Sequence, residues 1–199
     1  MEFFSIMLDH TPSQIERHIS RRLRDLRSQN GLTLQELASQ SGVSRSMISL
    51  IERGASSPTA TILDKLAASL GVTLATLFAE EKRADAAALS RRSSQLTWHD
   101  PGTGCMRRNL SPPAFDSPIE LVEVVMPPRA QVAYDSPPRR RETHQQIWVL
   151  AGTVEIMIDK ATHVLSKGDC LAMLLDGPIT FRNSGNKESR HLVALAKRP

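Results

Sequence analysis

The segment from Leu34 to Gly54 constrains the fold most, because it contains two short helical patterns separated by a glycine turn. Thr33 and Glu36 have the spacing of a capping box, in which each side chain binds a backbone N–H at the start of a helix. Gly42 is expected in the turn, where a positive φ is easiest for glycine. Ser44 then caps a second helix. The sequence therefore predicts a helix-turn-helix unit.

The second helix of this unit is expected to face solvent with polar side chains, because Val43 and Ile48 are predicted to face the core. Such a helix fits the major groove of DNA, where arginine can donate two hydrogen bonds to a guanine edge. Helix N-termini bind phosphate well. We therefore predict DNA contacts by Gln35, Ser44, Arg45, Ser46, Ser49 and Arg53. From the pattern alone, an ordinary small helical bundle remains an equal alternative.

Residues 13–79 predict five helices around this unit. In the first helix, Ile15, Ile19, Leu23 and Leu26 recur at spacings of three and four, which gives one apolar stripe. The fifth helix is predicted over residues 73–78. Five arginines lie on the other faces of the first helix: Arg17, Arg21, Arg22, Arg24 and Arg27. They either contact phosphate or form a solvated surface, and the sequence leaves both possibilities open.

The charge distribution argues against loose, charge-driven binding of nucleic acid. The net charge is +4, but residues 1–80 carry eight basic and eight acidic side chains. A neutral helical half lacks the positive field that holds a protein nonspecifically on phosphate. Any DNA binding must therefore rest on a few well-placed groups.

Residues 15–78 resemble the xenobiotic-response-element (XRE), or Cro/repressor-type, helix-turn-helix family. The matching stretches are Leu23-Arg-Asp-Leu-Arg, Leu32-Thr-Leu-Gln-Glu-Leu-Ala, Ser41-Gly-Val-Ser, Ile48-Ser-Leu-Ile-Glu-Arg-Gly, Ser57-Pro-Thr and residues 63–78. The resemblance favours DNA binding over the plain bundle. It implies a homodimer on double-stranded DNA with a two-fold operator, in which the helix at 44–53 reads the bases.

Composition changes after residue 80. Residues 80–95 are polar and alanine-rich without an apolar face, which predicts a linker. Residues 96–199 contain short β-rich runs between turn signals, which is typical of a sandwich or small barrel. The predicted strands are Ile119–Met126, Gln146–Leu150, Thr153–Ile158, Cys170–Leu175, Ile179–Asn183 and His191–Ala196.

The β-rich half resembles a cupin barrel. The motifs that carry this resemblance are Ile147-Trp-Val-Leu-Ala-Gly-Thr-Val-Glu-Ile, Leu165-Ser-Lys-Gly-Asp and Phe181-Arg-Asn-Ser-Gly. The fold expected is α + β in two domains: a five-helix lambda-repressor-like DNA-binding domain, then an all-β cupin (double-stranded β-helix) barrel. The arrangement resembles a group of helix-turn-helix/cupin regulators.

The metal-ligand positions of the cupin family carry other residues here. Gln145 stands at the glutamate position, Ile179 at the last histidine position, and residues 137–141 replace the His-x-His pair. An amide is a weak ligand, isoleucine is none, and arginine stays cationic. We therefore predict no metal, no cofactor and no catalytic residues. His144 is one possible objection, although a lone histidine is more often structural or on the surface. His191 lies at no ligand spacing.

The same substitutions suggest a binding role. Guanidinium groups at a barrel mouth favour an anion, so Arg139, Arg141 and Gln145 are predicted to bind a small, anionic effector. The alternative is that the arginines form an exposed loop and the barrel serves only dimerisation. Strand alternation from Gln145 places Ile147 inside and Trp148 outside, where a partner subunit could cover the indole.

These patterns predict a transcription regulator controlled by a small metabolite, and they leave two alternatives. One is a metal-dependent cupin enzyme with an accessory helical domain, and the other is a constitutive repressor with a structural barrel. The chain has only two cysteines, which is typical of a reducing cytoplasm. It has no run of about 18 apolar residues that would predict a membrane span.

Overall fold

Residues 13–80, the described part of the N-terminal half, form four α-helices followed by a short 3-10 helix. The computed structural model describes residues 13–80, 85–135 and 142–197. The elements are α1 (Gln14–Gln29), α2 (Leu34–Ser41), α3 (Arg45–Glu52), α4 (Ala60–Ser69) and the 3-10 helix Leu74–Phe78. The predicted fifth helix is present as a 3-10 helix. Its five residues end at Phe78 and Ala79 is already extended, so no room remains for an α-helical hydrogen-bond ladder.

The predicted helix boundaries follow from side-chain caps. Thr33 and Glu36 form the expected capping box, with the backbone N–H of Thr33 donating to Glu36 at 2.8 Å. Gly42 ends α2 at φ +68°, where a side chain would be strained. The Ser44 hydroxyl accepts from the N–H of Met47 at 3.2 Å and begins α3. All of these expectations are confirmed.

The helices pack around a buried apolar core. Ile19, Leu23 and Leu26 of α1 are buried, as the apolar stripe predicts, and Val43 and Ile48 face the same core. Burying a leucine or isoleucine side chain contributes about 1.5–3 kcal/mol, so these residues hold α1 against α3.

One polar contact crosses this core. Arg27 of α1 donates to both carboxylate oxygens of Glu52 at the end of α3, through Nε at 2.6 Å and Nη2 at 2.8 Å. Its Nη1 donates to the carbonyl of Leu32 at 2.8 Å. The Glu52 side chain is only 6% exposed. This bidentate pair fixes α3 against α1 and the turn before α2, because two parallel hydrogen bonds also set the orientation of both groups.

The described residues of the C-terminal half form ten strands. They are β1 (Thr97–His99), β2 (Met106–Asn109), β3 (Ile119–Met126), β4 (Gln131–Tyr134), β5 (Thr143–Ala151), β6 (Thr153–Ile158), β7 (Ala161–Ser166), β8 (Cys170–Leu174), β9 (Ile179–Arg182) and β10 (Ser189–Lys197). They make a six-stranded sheet in the order β1-β2-β3-β10-β5-β8 and a four-stranded sheet in the order β4-β9-β6-β7. Every pairing is antiparallel.

The two sheets share one apolar core, as expected for the double-stranded barrel of the cupin resemblance; this part, residues 97–197, is called the barrel below. The strand alternation predicted for β5 is confirmed. Gln145, Ile147 and Val149 are buried, whereas Trp148 is 48% exposed on the opposite face. The six strands expected from sequence are all present, with ends shifted by a few residues. Strands β1, β2, β4 and β7 were not predicted.

The helices and the barrel pack directly on each other. The backbone N–H of Ala60, the first residue of α4, donates to the Asp100 carboxylate at 3.1 Å, so a barrel residue helps to cap a helix of the other half. Thr61 Oγ1 donates to the carbonyl of Ala133 at 2.8 Å. The rings of Phe78 and Trp98 lie 5.6 Å apart. A single buried core therefore extends through both halves.

The Arg27–Glu52 pair yields a stability prediction. In Arg27→Met, the free energy of unfolding should fall by about 3–5 kcal/mol, because the buried Glu52 carboxylate would lose its bidentate partner and keep only the half-exposed Arg24, whose Nε lies 3.9 Å away. Urea denaturation measures this change. The matched control is Arg21→Met on the exposed side of α1, which should change stability by no more than about 0.5 kcal/mol. Equal effects of the two substitutions would contradict the assigned role.

Candidate nucleic-acid interface and barrel cavity

The predicted DNA-contact residues lie around α3. Five of the six are exposed: Gln35, Ser44, Arg45, Ser46 and Arg53. Ser49 is partly buried. The Ser44 hydroxyl already accepts from Met47 and lies 3.1 Å from the hydroxyl of Ser46. Ser44 therefore acts first as a helix cap, which orients the N-terminus of α3 toward solvent.

Four of the five arginines of α1 divide into two groups. Arg27 and Arg24 bind Glu52: Arg27 pairs with its carboxylate, and Arg24 donates to its carbonyl at 2.7 Å. These two side chains position α3. Arg17 and Arg21 are exposed on the outer face of α1. The contacts of Arg24 and Arg27 therefore give these two arginines a structural role. Sequence periodicity alone does not separate them from the exposed arginines of α1.

A cavity of about 60 Å³ lies where α4 and the 3-10 helix meet the barrel. Its lining combines residues from both halves: Asp64, Thr73, Leu74, Arg107, Tyr134, Gln145, Leu175, Gly177, Ile179, Phe181, Val193 and Leu195. A second cavity of about 20 Å³ shares Arg107, Tyr134 and Phe181 with the first and reaches His191. The two spaces therefore adjoin inside the barrel.

Arg107 is the cation that lines both cavities, and it is not among the site residues predicted from sequence. Its Nη1 donates to the hydroxyl of Tyr134 at 3.3 Å. The neighbouring Arg108 points to the other face of β2, where it pairs with Glu123. Strand β2 has only four residues, two of which are adjacent arginines, and such a pattern is typical of a polar loop. Only strict alternation along β2 would have placed Arg107 inside.

Two further polar groups line the interior. Burial raises the pKa of Tyr134 to about 12, so its hydroxyl keeps its proton and can donate. Burial, with a smaller effect of the Arg107 charge, lowers the pKa of His191 to about 3, so the ring is neutral at pH 7. The ring stacks on Phe181 with centroids 5.9 Å apart. Among the described residues, its Nδ1 has no hydrogen-bond partner.

The predicted effector residues are only partly covered by the structure. Gln145 is buried and lines the cavity, with its Nε2 3.8 Å from the sulfur of Met173. Arg139 and Arg141 lie outside the described residues. Ile179 also lines the cavity, so two of the residues at cupin metal positions do face the barrel interior.

His144 lies on the outer face of β5. His144 is exposed and binds Glu142 at 2.9 Å, on the face of β5 opposite Gln145. The described residues contain no group of three or more histidine, cysteine, aspartate or glutamate side chains that could hold a metal ion. Within the same residues, no helix is long and apolar enough to cross a membrane.

Comparison with known families addresses the helical half. The helix-turn-helix family model matches residues 23–77, which span most of α1, all of α2 to α4 and nearly all of the 3-10 helix. This region is a helix-turn-helix domain. In such a domain α3 is the second helix of the motif, and its polar face is the one exposed here.

The helix-turn-helix domain and the barrel occur together in relatives. The chain is 26% identical to the HTH-type transcriptional regulator SutR of Escherichia coli, over 93% of this chain and 97% of that protein. It is also similar to the crystal structure of an HTH_3 family transcriptional regulator from Vibrio cholerae, with 26% identity, 93% and 98% of the two chains covered, and a TM-score of 0.73. A cupin_2 domain of an XRE family regulator from Enterobacter cloacae is a more distant match, with 18% identity over 48% of this chain and 98% of that domain, and a TM-score of 0.43.

The lowered pKa of His191 predicts a pH dependence. Between about pH 6.5 and pH 3 the unfolded chain binds a proton that the folded chain excludes. The free energy of unfolding should therefore decrease as pH falls through this range, with a contribution of up to about 1.4 kcal/mol per pH unit. In His191→Leu that contribution should disappear. Urea denaturation of both proteins at pH 7, 6, 5 and 4 measures it, and identical slopes would contradict the prediction.

Proposed function

We propose that this protein is a sequence-specific DNA-binding transcription regulator and not an enzyme. The observation that carries the proposal is the helix-turn-helix domain with the polar face of α3 exposed and its position fixed by the Arg27–Glu52 pair. The similarity to transcriptional regulators over 93% of the chain supports the same function.

In this proposal α3 enters the major groove of double-stranded DNA. Arg45 reads a base edge near the start of the helix, and Ser46 and Ser49 follow it along the groove. Gln35 at the start of α2 and Arg53 at the end of α3 contact phosphate. The hydroxyl of Ser44 remains close to the backbone, while its main role is to cap α3.

The proposed active form is a homodimer, because two copies of α3 on a two-fold operator double the number of base contacts. The outer face of the six-stranded sheet supports this assembly. Trp148 and Leu174 are exposed there, and a shallow apolar depression runs beside Trp148 with Leu192 and Ala194. Monomeric proteins rarely leave such a patch in water.

The proposed regulator acts in the cytoplasm and responds to a small molecule held in the barrel. The cavity between the sheets and α4 supports a binding role, and Gln145 and Ile179 at metal-ligand positions of the cupin family weigh against metal-dependent chemistry. Arg139 and Arg141 remain proposed anion contacts. Elemental analysis of the purified protein separates this proposal from the enzyme alternative, because stoichiometric iron, manganese or zinc would favour the enzyme.

Genomic footprinting of the bound protein tests the function directly. We expect discrete sites with two-fold symmetric half-sites about 10–10.5 base pairs apart, or a multiple of that spacing. Binding without sequence preference would overturn the proposal. The genes beside the sites would also indicate which metabolite the protein senses. Equal operator affinity under all metabolites would favour a constitutive repressor.

The reader helix gives a mutational prediction. Arg45→Ala should relax sequence preference at one base pair of each half-site, at a cost of about 1–3 kcal/mol for the preferred operator. Gln35→Ala should weaken binding to all DNA sequences, at a similar cost in binding free energy. The control is Lys160→Ala, which removes an exposed positive charge from the β6–β7 turn of the barrel. Fluorescence anisotropy with an operator library measures all three, and unchanged preference in Arg45→Ala would contradict the assignment.

The outer sheet face gives a second prediction. Trp148→Glu should shift the protein from dimer to monomer and lower operator affinity by at least tenfold, because a buried charge would face its own copy across the two-fold axis. The control is Met157→Glu on the other sheet, where the side chain is also 48% exposed. Analytical ultracentrifugation measures the assembly. A monomeric wild type, or an unaltered dimer in Trp148→Glu, would exclude this interface.

A further inference from the structure

We propose that the cavity between α4 and the barrel binds a small α-amino acid, whose carboxylate pairs with Arg107 and whose ammonium group pairs with Asp64. The site thus has one charged wall from each half of the protein. Binding itself is independent of the proposed function. Its consequence for DNA binding rests on that function.

The carboxylate end follows from Arg107. Its guanidinium lines both adjoining cavities, and its one side-chain hydrogen bond among the described residues goes to Tyr134. A guanidinium has five N–H donors, so Arg107 has donors beyond the one that Tyr134 accepts. A ligand carboxylate supplies the bidentate partner that arginine geometry favours.

The ammonium end follows from Asp64. This residue lies in the middle of α4, is buried at 4% exposure and lines the cavity beside the barrel. A carboxylate has about four acceptor sites, so Asp64 can accept from a ligand in addition to its protein contacts. Arg107 and Asp64 both act electrostatically on Tyr134, which places the two charges around one hydroxyl.

Two neutral groups complete the site. The hydroxyl of Tyr134 can donate to a ligand oxygen. The Nδ1 atom of His191 is buried in the adjoining cavity without a partner among the described residues, which is costly for a polar atom and points to a hydrogen bond with a molecule not part of the chain. Phe181 lies between them and offers an apolar surface for a short side chain.

The size of the cavity limits the ligand. At roughly 10–15 Å³ of such volume per water molecule, 60 Å³ corresponds to about four to six non-hydrogen atoms. Glycine and alanine are in this range and serine exceeds it by one atom, whereas aromatic amino acids are too large. The mostly aliphatic lining of Leu74, Val193 and Leu195 suits a short apolar or small hydroxyl side chain.

The position of the site couples it to the DNA-reading half. Asp64 lies one turn along α4 from Ala60, whose N–H binds Asp100 of the barrel, and from Thr61, which binds Ala133. A ligand that bridges Arg107 and Asp64 therefore tightens the same contact between α4 and the barrel. The orientation of the helix-turn-helix domain relative to the barrel then depends on whether the cavity holds a ligand.

Isothermal titration calorimetry of the full chain tests the site. The probes are glycine, L-alanine and L-serine, with propionate and ethylamine as analogues of alanine that lack one charged group. We expect at least one amino acid to bind, and both analogues to bind at least tenfold more weakly. Arg107→Met and Asp64→Asn should each weaken binding at least tenfold. Tyr134→Phe, which keeps the ring in place, should weaken it severalfold.

The control is Arg182→Met, an arginine next to Phe181 whose side chain is 54% exposed on the outside of the barrel. It should bind like the wild type, and thermal melts establish that each variant is folded. The proposal would be overturned if none of the three amino acids gave a heat of binding, or if propionate bound as tightly as alanine. Unchanged binding in a folded Arg107→Met would do the same.

Operator affinity measured with and without the amino acid separates the site from the function. An altered affinity supports the coupling through α4. Amino-acid binding with an unchanged operator affinity leaves the site in place and removes its regulatory role. Normal operator binding by a chain that binds none of the probes overturns the site and leaves the DNA-binding function standing.

Discussion

The buried pair of Arg27 and Glu52 determines where the reading helix points. It joins α1 to the last residue of α3, and the same guanidinium holds the turn before α2 through Leu32. Apolar packing alone would press the helices together but would leave their relative rotation loosely specified, because hydrophobic contact is not directional. A bidentate ion pair has one favourable geometry. The polar face of α3 is thus presented in a fixed direction by a group on the opposite side of the core.

The same reasoning applies where the two halves meet. Asp100 uses its Oδ1 for Ala60 of α4 and for Gly102, and its Oδ2 for Thr103 at 2.5 Å. One barrel carboxylate therefore satisfies a helix N-terminus and its own turn at once. With Thr73 and Thr76 bound to Glu120 on the other side of the contact, the helices are fixed to the barrel by directional bonds at both ends. This makes a cavity lined by both halves possible.

The sequence could predict the elements whose signals are local. Caps such as Ser44, turns such as Gly42 and the alternation of β5 depend on neighbouring residues, so these features were predicted correctly. The strands that were missed have only three to six residues, as in Met106–Asn109, so no periodicity develops. Their identity depends on a partner strand distant in sequence. The cavity was missed for the same reason: Arg107 and Asp64 come together only through the packing of α4 on the barrel.

The two faces of strand β5 have different roles. Gln145 and Ile147 line the interior, while Trp148 lies outside, and β5 pairs on both edges with β8 and β10. Loss or gain of a single residue within this strand would exchange the two faces, moving the indole into the barrel and the amide into water. Insertions and deletions are therefore excluded within β5, where only substitutions that suit one face or the other are compatible with the fold.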